Sequence, residues 1–247
     1  MKLYRVRAVV LNSRQMRDAH RLLTLFSREK GKIKVVAHGA AKPTSRKRGA
    51  VQPFCHSELL LRRGRELDSV EQCEGLEIFP GLWEDLDRMS YAGHVVELVD
   101  GLTADGEPNQ AVFELLLHTL KAMEGTADLE LVARGFELRL LSLLGYQPYL
   151  DGCVNCGSGA INPVARFSPE AGGLVCPGCF SGTRGVPCGG ETVSVMKLLP
   201  GWDPFKIDRL RVSQQARGEM KVIMREYLQW HMEGRPRSLQ FMEQVQI

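Results

Sequence analysis

The chain has 247 residues, of which 44% are hydrophobic and 25% charged. That is enough apolar material for one or two buried cores, and the composition excludes a disordered or low-complexity chain. No run of about 18 apolar residues suggests a membrane span. The first stretch, MKLYRVRAVVLNSR, carries arginines inside its apolar segment and lacks a small-residue cleavage site. It does not read as a signal peptide. The compartment expected is therefore the cytoplasm, where thiols stay reduced and seven cysteines point to a metal or to buried thiols rather than disulfides.

The net charge of +3 conceals an asymmetry. Residues 1–65 hold 17 Lys/Arg against 3 Asp/Glu, and residues 66–247 hold 15 against 26. A basic first quarter joined to an acidic remainder suggests a polyanion-binding module attached to something else. The sign alone suits DNA, RNA or an anionic membrane equally.

In chain order, residues 3–11 alternate, with Tyr4, Val6, Ala8 and Val10 on one face and Arg5 and Arg7 on the other. This predicts a strand. RLLTLFS (residues 21–27) and KIKVVA (residues 32–37) flank the turn signal Glu29-Lys30-Gly31 and read as a hairpin. In the second strand Lys32 and Lys34 share one face. Residues 39–49, GAAKPTSRKRG, read as an exposed, mobile loop holding Lys42, Arg46, Lys47 and Arg48. Further strands are expected at residues 54–62, followed by Arg62, Arg63 and Arg65, and at residues 67–74. About five short strands with few intervening helices suggest a small closed barrel, with an OB-fold fitting the count.

After Pro80 the period changes. Apolar residues at helical spacing predict helices over residues 82–102, 110–123 and 129–144, which would form a bundle, and a last helix over 214–232. The expected architecture is α+β: an OB-fold barrel over residues 1–80 and an α-helical domain over 81–247. A cysteine module is inserted in that domain at about 150–190.

That module carries the sharpest motif. Cys153-Val-Asn-Cys156 is followed by Cys176-Pro-Gly-Cys179. Two CxxC turns can aim four thiolates at one cation, the donor set of a closed tetrahedral structural zinc site with no open position for water. Cys188 lacks a paired cysteine, and Cys55 and Cys73 fall in predicted strands as small hydrophobes. A deaminase-type zinc site would need H-x-E followed by P-C-x-x-C. His56-Ser57-Glu58 matches the first half, but neither cysteine pair is preceded by proline. Among the other histidines, His118 and His231 fall in helical patterns and read as structural. No nucleophile elbow, phosphate loop or zinc-protease motif is present, so no enzyme is expected.

The candidate nucleic-acid contacts are Arg5, Arg7, Arg14, Lys32, Lys34, Lys42, Arg46, Lys47, Arg48, Arg62, Arg63 and Arg65. Strands curling into a barrel can gather such residues around one groove. Tyr4 and Phe54 are candidates for stacking on bases, although Tyr4 alternates with the apolar set and reads rather as core. With few aromatics, binding should be backbone-driven, indifferent to sequence and steeply salt-dependent.

Several stretches carry a resemblance. Residues 10–14 (VLNSR), 20–31 (HRLLTLFSREKG) and 37–52, with Gly39-Ala40, Ser45-Arg46 and Gln52-Pro53-Phe54, resemble the N-terminal domain of the RecO DNA repair family. Residues 136–141 (FELRLL), Leu144-Gly145-Tyr146-x-Pro148 and Cys153-x-x-Cys156-Gly157 resemble its C-terminal part, as does the region of Arg237-Ser238-Leu239 more weakly. A tyrosine common near the first loop of the family is replaced around Gln15-Met16-Arg17.

The resemblance implies a bacterial, nucleoid-associated recombination mediator without enzymatic activity. Such a protein binds single- and double-stranded DNA and anneals complementary strands. It works with RecR and SSB so that RecA loads on coated DNA. Some members lack the cysteines, which suits a stabilising zinc. The alternatives from the residues alone are an RNA-binding OB-fold protein and a zinc-containing protein scaffold.

Overall fold

The computed structural model describes all residues except 1, 17–18, 43, 46, 160–164, 181–184, 233, 235 and 246–247. The chain divides into two compact units, residues 1–124 and 125–247.

The first unit is built on five strands: β1 (Leu3–Gln15), β2 (Arg21–Ser27), β3 (Gly31–Ala37), β4 (His56–Arg62) and β5 (Asp68–Glu77). They close into a barrel in the order β1-β2-β3-β5-β4. Every pairing is antiparallel except β3 with β5. This is the expected OB-type closure, which leaves no open sheet edge. The alternation read from the sequence is what fills it. Val6, Ala8, Val10, Leu23, Leu25, Val35, Leu59, Leu61 and Val70 all point inward and are buried. β1 serves two partners, pairing β4 through Leu3–Val9 and β2 through Ala8–Gln15, with a register shift between Val10 and Asn12. Such a bulge bends the strand enough to turn the barrel's corner.

The hairpin turn depends on Gly31. Its φ is +62°, and a β-carbon there would sit 2.0 Å from the Glu107 carbonyl oxygen. The segment carrying Glu107 is itself fastened to β3 by the Gly106 N–H donating to the Lys32 carbonyl at 2.8 Å.

Three expectations change in this unit. The described residues of the basic loop, expected to be exposed and mobile, form turns with Lys42, Thr44 and Arg48 exposed but with anchored flanks: Ala40 and Val51 are fully buried against the barrel core, and the Ala41 N–H donates to the Ala19 carbonyl. Apolar residues at both ends of that segment have nowhere else to leave water. Strand β4 starts at His56, because Phe54 adopts a left-handed φ of +71° and tucks its ring beside Trp83. The helix expected from residue 82 starts at Leu86. A short 3-10 turn, Pro80–Trp83, precedes it, and the Asp85 carboxylate caps the Arg88 N–H. Helix α1 then spans Leu86–Leu102 and α2 Gln110–Gly125.

In the second unit, α3 spans Leu129–Leu143 and begins with Asp128 capping the Leu131 N–H. The stretch without sequence periodicity holds a three-stranded antiparallel sheet, β6 (Ala165–Ser168), β7 (Gly173–Val175) and β8 (Val186–Cys188), in the order β7-β6-β8. Strands of three or four residues are too short to show a period. Helix α4 (Gly190–Leu198), 3-10 turns at Leu199–Gly201 and Pro204–Arg209, α5 (Gln214–His231) and α6 (Arg237–Gln244) follow.

Phe136, Phe167, Met220, Ile223, Met224, Tyr227 and Leu228 are buried in this unit, with the Phe167 and Tyr227 rings edge to face at 5.2 Å. Two charged anchors fix the helices. Arg217 on α5 binds Asp128 and, at 3.0 Å, Glu130. Glu219 accepts from the Gly189 N–H at 2.7 Å and from the Thr192 hydroxyl at 2.5 Å, holding the start of α4. His231 stacks on Tyr146, as a structural histidine would. His118 instead lies on the exposed side of α2.

Candidate metal centre and nucleic-acid interface

The four cysteines of the two CxxC pairs converge: the sulfurs of Cys153, Cys156, Cys176 and Cys179 lie within 4.8 Å of one another. Local backbone explains how. In the first turn the Gly157 N–H donates to the Cys153 carbonyl at 2.8 Å, with Gly157 at φ +72°. In the second the Cys179 N–H donates to the Cys176 carbonyl at 3.1 Å. The two turns face each other because β7 lies between them in sequence and the Val154 N–H donates to the Leu174 carbonyl. Close approach there requires Gly173, where a β-carbon would lie 2.4 Å from the Tyr149 oxygen.

The thiols differ in acidity. The Cys176 N–H, which donates to the Cys153 sulfur at 3.3 Å, leads the hydrogen bonds that pull Cys153 down to about 6. Hydrogen bonding to Cys156, then to Cys176, pushes Cys179 up to about 12. Four such sulfurs cannot all ionise beside one another without a cation to neutralise them, and their number and type suit a soft divalent ion. Cys188 lies outside the group, buried in β8, and burial pushes its thiol up to about 12. His56 and Glu58 are not part of it either. His56 is buried with Nδ1 3.3 Å from Glu77, and Glu58 accepts from Arg5 and Arg7.

The twelve basic candidates separate by what they already touch. Arg5 and Arg7 are exposed but share Glu58, at 2.9 and 3.4 Å, and Arg5 above all, then Arg7, hold the Glu58 carboxyl below the usual carboxylate range. Lys32 is 9% exposed, donates to the Asp100 carbonyl at 2.5 Å and lies 3.3 Å from Asp105. Lys34, exposed, reaches Asp105 at 3.7 Å. The Lys47 amine donates to the Val70 carbonyl at 2.6 Å and is half-buried. Arg62 meets Glu71 at 2.9 Å. Arg14, Lys42, Arg48, Arg63 and Arg65 are exposed and have no ion pair among the described residues. Arg46 lies outside the described residues.

Strand register brings several of these onto one outer face. Paired residues point to the same side of a sheet, and a row of partners crosses four neighbouring pairings as Arg14, Leu22, Val36, Ser69 and Arg62. The next row adds Asn12, Thr24 and Lys34. The outer β2–β3 surface is thus half-apolar, bordered by Arg14 on one side and by the β4–β5 loop with Arg63 and Arg65 on the other. Phe54 does not stand out as a stacking platform, and Tyr4 joins the core as its alternation with the apolar set indicated. Phe54 is 5% exposed. Tyr4 packs against the core and donates to Asp68, with burial first and this bond second raising its pKa. Sequence reasoning could not separate paired from unpaired cations, because Glu58, Asp100 and Asp105 are distant in the chain from the residues they neutralise.

No helix among the described residues is long and apolar enough to cross a membrane.

Comparison with known proteins agrees with this architecture. Residues 1–79 match the family described as "Recombination protein O N terminal", and residues 83–240 match "Recombination protein O C terminal". A "DNA repair protein RecO" of Pelotomaculum thermopropionicum is 47% identical over 98% of this chain and 94% of its own length. Proteins of the same description from Desulforamulus reducens and Desulforudis audaxviator are 41% and 42% identical, covering 96% and 99% of those chains. With both halves matched and the identity sustained from end to end, this chain belongs to the RecO family of DNA repair proteins.

Proposed function

We propose that the protein is a non-catalytic recombination mediator. It binds single- and double-stranded DNA without sequence preference, anneals complementary strands, and acts with RecR on SSB-coated DNA to help RecA load. The observation that carries this reading is the closed barrel whose half-apolar β2–β3 face is bordered by exposed cations with no ion pair among the described residues. OB-folds bind single strands on that face between flanking loops. Residues 1–80 would carry the DNA, and residues 81–247 would serve as the helical domain.

Annealing needs no covalent step. Two strands repel through their phosphates, and cations held on a fixed surface lower that repulsion until base pairing supplies the free energy. Arg14, Lys42, Arg48, Arg63 and Arg65 would bind phosphates directly. Arg5 and Arg7 would exchange Glu58 for phosphate. Lys32 and Lys47, committed to Asp100, Asp105 and Val70, would position the barrel and its loop rather than touch DNA. Such a protein would act in the bacterial cytoplasm, at the nucleoid.

Cys153, Cys156, Cys176 and Cys179 would hold one structural zinc ion, whose positive charge lets all four thiols ionise and cross-links the two turns. With four protein ligands the site keeps no position for an activated water.

The test is annealing of two complementary labelled oligonucleotides over a range of salt, beside RNA of the same sequence. Acceleration that fades with salt is the expected result. No acceleration by folded protein, or strong preference for RNA, would overturn the proposal.

A further inference from the structure

The barrel unit has a face of opposite character. Residues 71–87 contain six acidic residues and no Lys or Arg. In the same stretch Leu76, Ile78, Trp83 and Leu86 are 42, 54, 46 and 44% exposed. Half of the acids are spent internally: Glu71 on Arg62, Glu77 on His56 and Lys121, and Asp85 on Arg88. Glu74, Glu84 and Asp87 are exposed and have no ion pair among the described residues.

Most of these residues come together for structural reasons. Glu74 stands apart, pairing with Glu58 in the row of Arg7, while the bulge that follows Gly75 turns the Ile78 side chain back over Gly75, where a β-carbon would sit 3.1 Å from its Cδ1. The pairing of His56 with Glu77 sets Phe54 and Cys55 beside the residues that follow β5. Trp83 lies against the Phe54 ring at 5.2 Å, and Leu86 opens α1 just beyond. Trp83 is also preset. Phe54 is buried with its backbone locked at φ +71°, and the turn carrying Trp83 is tied down by the Gly81 N–H donating to Glu124 at 3.0 Å.

We propose that this face docks a basic polypeptide segment of a partner protein, whose apolar side chains cover Trp83 and Ile78 while its Lys or Arg residues meet Glu84 and Asp87. Charge complementarity selects the occupant. Uncompensated carboxylates repel nucleic-acid phosphates and anionic lipid, whereas they attract a cationic chain. A fixed, half-exposed tryptophan followed in the chain by such charges is the composition of an energetic anchor at a protein interface, and its prior fixation lowers the ordering cost of binding. The inference does not depend on the DNA-binding reading, which uses other residues.

The probe is a fluorescein-labelled amphipathic Lys/Leu peptide of about 16 residues, with leucines at helical spacing. Its control is the same peptide with Glu in place of Lys. Both are titrated against the full chain, Trp83→Ala and the pair Glu84→Lys/Asp87→Lys. The Lys peptide should bind the native chain and lose roughly tenfold or more in affinity in each variant, on the scale of one hot-spot residue, with unchanged melting temperatures. The Glu peptide should not bind. Equal binding by native and charge-reversed chains, or binding of the Glu peptide, would overturn the proposal. Self-association in sedimentation that Trp83→Ala abolishes would also overturn it, assigning the face to a second copy.

Discussion

Replacing Arg63 and Arg65 by alanine should weaken single-stranded DNA binding and flatten its salt dependence together. Both side chains are exposed on the β4–β5 loop without an ion pair among the described residues, so each is free to displace a condensed counterion. For single strands the slope of log K against log salt is about −0.7 per phosphate neutralised. Losing two contacts should therefore shift the slope by about 1.4. At 0.1 M salt the same relation gives a loss of about 25-fold, or about 1.9 kcal/mol. The assay is fluorescence anisotropy of a labelled oligothymidine across a sodium chloride series, with melting curves to show the variant folded. Lys32→Ala supplies the contrast. Its charge is already met by Asp100 and Asp105, so it should cost stability and leave the slope in place. A double-arginine variant with an unchanged slope would refute the assignment of phosphate contacts to this loop. So would a Lys32 variant with a reduced slope.

Glu58→Gln should act in the opposite direction, raising affinity and steepening the slope in the same titration, because it releases Arg5 and Arg7 from their shared carboxylate. Cys153→Ser/Cys156→Ser, or a strong chelator, should remove one zinc ion per chain by elemental analysis and lower the melting temperature, while DNA affinity at low temperature changes little. Gly31→Ala should cost about 2–3 kcal/mol in chemical denaturation, since the β-carbon must meet both a left-handed φ and the Glu107 carbonyl. Burial alone would raise the Asp128 pKa, but the Arg217 guanidinium and the Leu131 N–H hold it below the ordinary 3.8. The stability this pair contributes is thus present above the ordinary value and lost as pH falls through the depressed one. Asp128→Asn should lower the melting temperature at neutral pH and converge with the native protein in strong acid.

The barrel was legible because its strands alternate. Period two in residues 3–11 and 32–37 requires one wet and one dry face, and only a closed or covered sheet provides the dry one. The helices of residues 110–125 and 214–231 were legible for the corresponding reason at period 3.6. The cysteine cluster was the plainest signal, since two CxxC turns constrain their sulfurs locally and need only be brought face to face. The short strands β6–β8 were not legible, because three or four residues carry no period.

Which cations are free was decided by tertiary structure alone. Lys32 and Lys34 look equivalent in the sequence, two residues apart on one strand face. A segment 68 or more residues away buries Lys32 between Asp100 and Asp105 and leaves Lys34 exposed at its rim. Lys47 and Arg48 are adjacent, yet one amine is spent on the Val70 carbonyl and the other side chain stays in water. Phe54 read as a stacking platform and became the buried support of Trp83. Sequence fixes local period and local turns, because those follow from neighbouring residues. The partner of each charge and the exposure of each ring follow from which distant segments closure of the barrel brings within a few ångströms.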